Sequence, residues 1–447
     1  MTAHASATAQ PRPIDTLIEA RWIVPVEPVG LVLENHALAL KGDTIVDLLP
    51  TLEARQRYAP RKTFQLTDHL LTPGFVNLHT HAAMALLRGF ADDLPLMRWL
   101  EDKIWPAEAK HANAAFVRDG SLLAAAEMLR GGTTCCSDMY FYPEAATEAF
   151  LEAGIRAAVG ITTIEFPTSY ACDADDYLAK GLAARDRFRD EALISFSLAP
   201  HAPYTVADKT FEKIGTLSAQ LELPIHIHVH ETRQEIEDSL RLHGCRPLAR
   251  LERLGLLGPE LIAVHAVHLN PEEIASLAHH GCHVAHCPTS NMKLASGIPA
   301  MADFLAKGGN AGLGTDGAAS NNRLDMIQEM RHAALLGKVG SGNAAALDAH
   351  TVLHMATLAG ARALGLGDAI GSLKPGKKAD LCAIGINEWS SQPCFDPVSH
   401  LVYVLGREAV SHVWVGGKLR VDNAQFTDID TAKLFALARL WQNTISS

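Results

Sequence analysis

Two histidines stand two residues apart in the run Pro73-Gly74-Phe75-Val76-Asn77-Leu78-His79-Thr80-His81. In an extended strand alternate side chains share a face, so both imidazoles point the same way. Imidazole is a common ligand for borderline-soft cations, and two from one strand can fill adjacent vertices of a coordination sphere. An isolated His-x-His is more often a pair of packed or solvated histidines, so other residues must decide. Three later runs supply them. Ile225-His226-Ile227-His228-Val229-His230-Glu231 brings three histidines and a carboxylate, Ala263-Val264-His265-Ala266-Val267-His268 brings His265, and Gly312-Leu313-Gly314-Thr315-Asp316-Gly317 brings Asp316. A carboxylate and three imidazoles suffice to hold one divalent cation and leave a position for water. A cation held in this way makes a hydrolytic nucleophile available near neutral pH.

These groups are useful only if the chain brings them together. Between about residues 70 and 370, eight short apolar runs alternate with helical patterns: Leu71–Asn77, Gly132–Asp138, Ile155–Thr163, Leu193–Ala199, Pro224–His230, Leu261–His265, His283–His286 and Asn310–Asp316. Amphipathic stretches such as Asn113–Leu129, Asp173–Phe188, Ala207–Leu221 and Gln234–Leu254 lie between them. Strand followed by helix, eight times over, predicts an α/β fold with a closed (β/α)₈ barrel of the TIM type. An open, doubly wound sheet is the alternative topology. In such barrels the carboxyl ends of the strands carry the active site, and the histidines and the aspartate above fall at those ends.

The texture changes at both ends of the chain. Thr16–Val24, Ala37–Lys41 and Thr44–Asp47 in front, and Ala379–Ile384, Val413–Val415 and Lys418–Val421 behind, read as short strands separated by turn signals. We expect residues 1–70 and 371–447 to form one small flanking β-sandwich domain beside a barrel over 71–370, with a last helix over Asp430–Asn443. The 447 residues, 48 % of them apolar, are too many for one hydrophobic core of the usual 250–300 residues or so. With 39 basic against 50 acidic residues the formal charge is −11, and no basic run exists to neutralise phosphates. Nucleic acid is therefore not an expected partner. Met1–Ile14 lacks the basic start and apolar core of a secretory signal, and no apolar stretch reaches the roughly 18–20 residues that span a bilayer. We expect a cytoplasmic protein with no membrane partner, its eight cysteines, which show no C-x-x-C spacing, being reduced thiols.

PGFVNLHTH, HVHE, VHAVHL and GTDGAASNN together resemble the amidohydrolase superfamily, in the cytosine-deaminase-like branch that removes amino groups from purines and related heterocycles, over essentially the whole chain. Other branches bridge two metals with a carboxylated lysine after strand three or four. Ile155–Thr163 and Leu193–Ala199 contain no lysine, so the resemblance implies one divalent ion, zinc by default, with iron or manganese also suited to the donors. It further implies His79, His81, His228 and Asp316 as metal ligands, Asp316 also as the group that moves the water's proton to the leaving amine, Glu231 as the acid that protonates the ring nitrogen, and His265 as the residue that orients the nucleophile. His226 is expected in an inner layer of the barrel. His230 is expected behind the ligands or in the following loop.

After His81 runs a long apolar segment containing Met97-Arg98-Trp99-Leu100 and Trp105-Pro106-Ala107-Glu108. This resembles the 5-methylthioadenosine/S-adenosylhomocysteine deaminase family, in which an aromatic side chain packs on the nucleoside and a glutamate binds the ribose hydroxyls. Trp99 and Glu108 match those positions, and His201 in Ala199-Pro200-His201 matches a substrate-contacting histidine; Glu231 and Asp316 also face the substrate in that pattern. Some members carry arginines on and after strand three for the homocysteine carboxylate. Here Ile161-Thr162-Thr163-Ile164-Glu165-Phe166-Pro167 has none, which predicts 5′-methylthioadenosine over S-adenosylhomocysteine, with adenosine weaker. The competing readings are a guanine or 8-oxoguanine type of deaminase and an s-triazine chlorohydrolase on the same metal core. A non-catalytic scaffold would have lost some of the six core residues, and all are present. The resemblance also implies a homo-oligomer.

Overall fold

The computed structural model describes residues 10–447, so most of the leading segment read for a secretory signal lies outside the described residues. Four strands open the chain: β1 (Arg12–Ile23), β2 (Leu33–Lys41), β3 (Thr44–Pro50) and β4 (Tyr58–Pro73). Eight follow, β5 (Phe75–Thr80), β6 (Thr133–Asp138), β7 (Arg156–Thr163), β8 (Ile194–Pro200), β9 (Ile225–Val229), β10 (Leu261–His265), β11 (His283–His286) and β12 (Asn310–Leu313). Four more close the chain, β13 (Leu381–Gly385), β14 (Val410–Val415), β15 (Lys418–Asp422) and β16 (Gln425–Phe426), before a final helix over Thr431–Ser446.

β5 to β12 form one parallel sheet in sequential order with helices between the strands, the expected barrel. The barrel strands are buried on both faces, as Arg156–Thr163 shows with every residue buried. The seam between the last strand and the first is drawn shut by polar bonds. Asn77 accepts from the Thr315 backbone N–H at 2.9 Å and donates to its hydroxyl at 2.8 Å, while Asp316 N–H donates to the His79 carbonyl at 3.0 Å. Gly314 permits this approach, since a Cβ there would stand 2.8 Å from that of His79.

The two chain ends share a second, eight-stranded mixed sheet in the order β16-β15-β14-β13-β4-β1-β2-β3. Ile18, Leu38, Phe64, Leu381 and Trp414 pack on one side of it, while Ile14, Leu17, Ala39 and Leu49 pack on the other under the helix Thr51–Arg57.

Two expected elements differ. The run Leu71–Asn77 is not one strand: Leu71 to Pro73 end β4 in the outer sheet, and the barrel begins at Phe75. The handover falls at Gly74, whose N–H donates to the Asp380 carbonyl and where a Cβ would lie 2.1 Å from the Thr134 hydroxyl oxygen. The stretch Gln234–Leu254 is two helices, Arg233–His243 and Pro247–Arg253. Gly244, at φ +69°, ends the first and Pro247 starts the second. Elsewhere Asn113, Asp173 and Thr232 start helices by accepting from backbone N–H groups two or three residues on. All eight cysteines are free. Among the described residues no helix is long and apolar enough to cross a membrane.

Candidate active site

The strand ends bring the predicted donors to one point. His79 on β5 is fully buried, with Nε2 3.2 Å from Nε2 of His228 on β9 and 3.3 Å from Asp316 Oδ1. His81, just past β5, places its Nε2 3.3 Å from the same carboxylate oxygen. Each imidazole is held through its other nitrogen. His81 Nδ1 bonds the Met139 carbonyl at 2.6 Å, His228 Nδ1 the His201 carbonyl at 2.7 Å, and His79 Nδ1 the His226 Nε2 at 3.0 Å. The carbonyls can only accept, so Nδ1 of His81 and His228 carries the proton and Nε2 is left with a lone pair. Burial pushes His79 down to about 4 and His228 well below its ordinary value, so both are uncharged near neutral pH. The lone pair of His228 Nε2 is thus aimed at the point where His79 Nε2, 3.2 Å away, and Asp316 Oδ1 also converge. The donor set fits a divalent ion on that ground, and two overlapping triads, His79–His81–Asp316 and His79–His228–His265, have converging ligand atoms.

Asp316 is itself fixed. Oδ2 accepts from the Ser290 and Ser320 hydroxyls at 2.6 Å each, and Oδ1 accepts from Gly317 N–H at 2.8 Å. His265 at the end of β10 bonds Asn291 Oδ1 through Nδ1 at 2.8 Å and turns Nε2 to within 3.8 Å of Glu231 Oε2. Burial raises the Glu231 carboxyl above its usual range. Its backbone and that of His230 donate to the two oxygens of Glu235, at 2.9 and 3.0 Å. His230, His265 and Asp316 have φ of 58°, 68° and 62°, left-handed values that cost a non-glycine residue on the order of 1–3 kcal/mol and are held here by these bonds.

A cavity of about 500 Å³ opens on this cluster. One wall is the helical segment Leu96–His111, which contains a π-helical turn over Leu100–Ile104. From it Trp99 is buried with its indole N–H unpartnered, and the half-buried Glu108 accepts from Tyr140 OH at 2.6 Å. Burial pushes the Glu108 carboxyl up to about 7, against the opposing pull of that hydrogen bond. Met84, Leu100, Trp105, Ile164, Phe166 and Leu294 supply apolar lining. His201 lines the cavity beyond β8. The Thr205 hydroxyl donates to the Ala202 carbonyl and so accepts from His201 Nδ1 at 3.1 Å, leaving Nε2 as an acceptor.

His79, His81, His228, Asp316, Glu231, His265, Glu108, His201 and Trp99 thus all reach one cluster or its cavity. His226 sits beneath His79, with Ser137 Oγ 3.3 Å from its Nδ1, and His230 accepts from Leu248 N–H at 3.1 Å, in the supporting places expected for them. Sequence reasoning passed over Tyr140, Thr205, Glu235, Ser290, Asn291 and Ser320. Of these, Ser320 alone had a readable signal, four residues beyond Asp316 in a short helix.

The fold and the strand-end cluster define a (β/α)₈ metal-dependent hydrolase. The amidohydrolase family pattern matches residues 70–420, and the chain belongs to this family. A curated relative from Teredinibacter turnerae, a 5-methylthioadenosine/S-adenosylhomocysteine deaminase, is 46 % identical over 434 residues, covering 97 % of this chain and 98 % of its own. A crystal structure of an adenosine deaminase from Xanthomonas campestris with bound zinc superposes with a TM-score of 0.96 at 49 % identity, covering 98 % of this chain and 99 % of that one. Atrazine chlorohydrolase from Arthrobacter aurescens, at 23 % identity, TM-score 0.88 and coverage of 95 % and 99 %, shares the fold.

Proposed function

We propose that the chain is a metal-dependent hydrolytic deaminase that converts 5′-methylthioadenosine, and less readily S-adenosylhomocysteine and adenosine, to the inosine analogue and ammonia. One observation carries the reading: a single cavity joins the convergent donors and Glu231 to a second carboxylate, Glu108, suited to two vicinal hydroxyls. The names of the relatives support the same chemistry.

His79, His81, His228 and Asp316 hold one divalent ion in this reading, and the zinc of the Xanthomonas campestris relative supports zinc as its identity. When bound, the ion lowers the pKa of water and so supplies the nucleophile. Glu231, in which burial favours the protonated form, gives its proton to the ring nitrogen beside the attacked carbon. Asp316, its charge favoured by three hydrogen-bond donors, takes a proton from the attacking water and passes it to the departing amine. Of the water's two protons, one ends on the ring nitrogen by way of Glu231 and the other on ammonia by way of Asp316. Two carboxylates with opposed environments thus divide the acid and base work. His265, fixed through its Nδ1 by the Asn291 amide oxygen, turns Nε2 as an acceptor toward the attacking water and orients it.

Trp99 packs on the nucleoside and His201 accepts from it through Nε2. Among the described residues no lysine or arginine lines the cavity, and Ile164, Phe166 and Pro167 form the wall where a homocysteine carboxylate would need a cation. The uncharged methylthio arm therefore fits better. The acidic composition and the family resemblance support a cytoplasmic homo-oligomer acting on a free small molecule, not on nucleic acid or a membrane.

The test is turnover by zinc-supplemented protein of 5′-methylthioadenosine, S-adenosylhomocysteine and adenosine, read as loss of the adenine absorbance band, and of guanine and a chloro-triazine, read as release of ammonia and chloride. The expected order of kcat/KM is methylthioadenosine first and homocysteine conjugate second. Turnover of guanine or the triazine alone would overturn the nucleoside reading; equal constants for the first two substrates would overturn the arm preference.

A further inference from the structure

We propose that Tyr140 is a positioning residue for ribose recognition, its hydroxyl fixing which lone pairs Glu108 turns toward the two sugar hydroxyls. The inference rests on the reading above, in which Glu108 receives those hydroxyls. Tyr140 OH donates to Glu108 Oε1 at 2.6 Å, and among the described residues no other hydrogen bond reaches that carboxylate. Glu108 belongs to the helix Trp105–His111, outside the barrel strands, and has no other polar tether to the barrel.

Tyr140, in contrast, is pinned to the barrel on both sides of its peptide. Its carbonyl accepts from the Thr162 hydroxyl at 3.0 Å. The preceding Met139 donates its N–H to the Thr80 carbonyl at 2.9 Å and accepts from His81 Nδ1 at 2.6 Å. One short segment past β6 therefore seats a candidate metal ligand and, through the phenol, the sugar-binding carboxylate. Sugar and reacting centre are thereby held in one frame.

The phenol also sets which acceptors remain free. A carboxylate has about four lone-pair sites. Tyr140 consumes one on Oε1, leaving one on that oxygen and two on Oε2, on the side away from the phenol. Two vicinal hydroxyls, each donating once, take two of these three in a charge-assisted bidentate contact. Without the phenol hydroxyl the carboxylate is free to turn about its own bonds, and the sugar must order it at a cost in binding.

Tyr140→Phe tests this while keeping the ring and its packing on Phe141, 5.4 Å away between centroids. The readouts are KM and kcat for adenosine and for 2′,3′-dideoxyadenosine, in the wild type and in a Glu108→Gln background. The expected result is a rise of about tenfold in KM for adenosine, well beyond any fall in kcat, and a similar fall in the ratio of the adenosine to the dideoxyadenosine kcat/KM. In the Glu108→Gln background Tyr140→Phe then adds no further loss. Equal losses on both substrates, or losses that simply add in the double variant, overturn the inference and leave Tyr140 a packing residue. If Glu108→Gln itself leaves the adenosine KM unchanged, the ribose reading falls, whatever Tyr140→Phe does. Should the Phe variant fail to fold, Tyr140→Leu, which also lacks the hydroxyl, must show the same ribose-selective change.

Discussion

At the strand ends, His79, His81, His228, His265 and Asp316 are each fixed by a hydrogen bond from a neighbouring strand or loop. The helical wall Leu96–His111 offers the same cavity one tethered polar group, Glu108, and otherwise mainly apolar surface. The strand ends resemble a machined seat, with each donor atom aimed by the partner of its other atom. The helical wall depends on shape, and among the described residues the side chain of Glu108, through Tyr140, is its polar tie to the segment that seats His81. The contrast suits a family whose members, at 46–49 % identity to this chain, carry names for different nucleoside substrates.

The largest test of that contrast is His79→Ala. It removes a donor at the centre of both ligand triads, and we expect loss of bound metal and a fall in turnover of about a thousandfold or more, with a lower Tm. Metal analysis, activity and thermal denaturation check it together; full metal content in the variant would remove His79 from the ligand set. Glu231→Gln is expected to act on the chemistry alone, lowering kcat by about 10²–10⁴-fold with the metal retained. Metal loss in step with activity would show that Glu231 supports the cluster instead.

The smallest effect concerns what stands behind the strand ends. Glu329 is fully buried, accepts from Thr289 N–H at 3.1 Å and Asn321 Nδ2 at 2.8 Å, and has its carboxyl raised from 4.5 to about 8 by burial. The folded protein keeps this proton while the unfolded chain releases it, so stability falls as pH rises from about 4.5 to about 8. Glu329→Gln keeps an acceptor and removes the titration. The drop in Tm between pH 5 and pH 8 should shrink in the variant; a drop as steep as in the wild type would mean that Glu329 is not protonated in the folded state.

The parts legible in the sequence were those governed by local rules. Alternation put His79 and His81 on one face, apolar runs bounded by Gly and polar residues located β6 to β12 closely, and the helix starts at Asn113 and Asp173 follow from capping. What escaped depends on contacts between distant residues. Nothing near Leu71–Asn77 shows that Gly74 must pass against Thr134 and so divide the run between two sheets. Ser290, Asn291 and Tyr140 look like ordinary loop-side polar residues until folding sets them against Asp316, His265 and Glu108. The segment Leu96–Glu108 was recognised by resemblance, because no periodicity reveals which of its side chains face the cavity.

The seam between β12 and β5 joins Asn77 to Thr315, residues 238 apart in the chain. During synthesis His79 and His81 emerge early and Asp316 late, so a nascent chain exposes imidazoles long before the carboxylate that completes their company. On the ligand set proposed above, a cation met at that stage would find only part of its donors, and the full set would exist only once the last strand reaches the first, so metal retention would report that the barrel has closed.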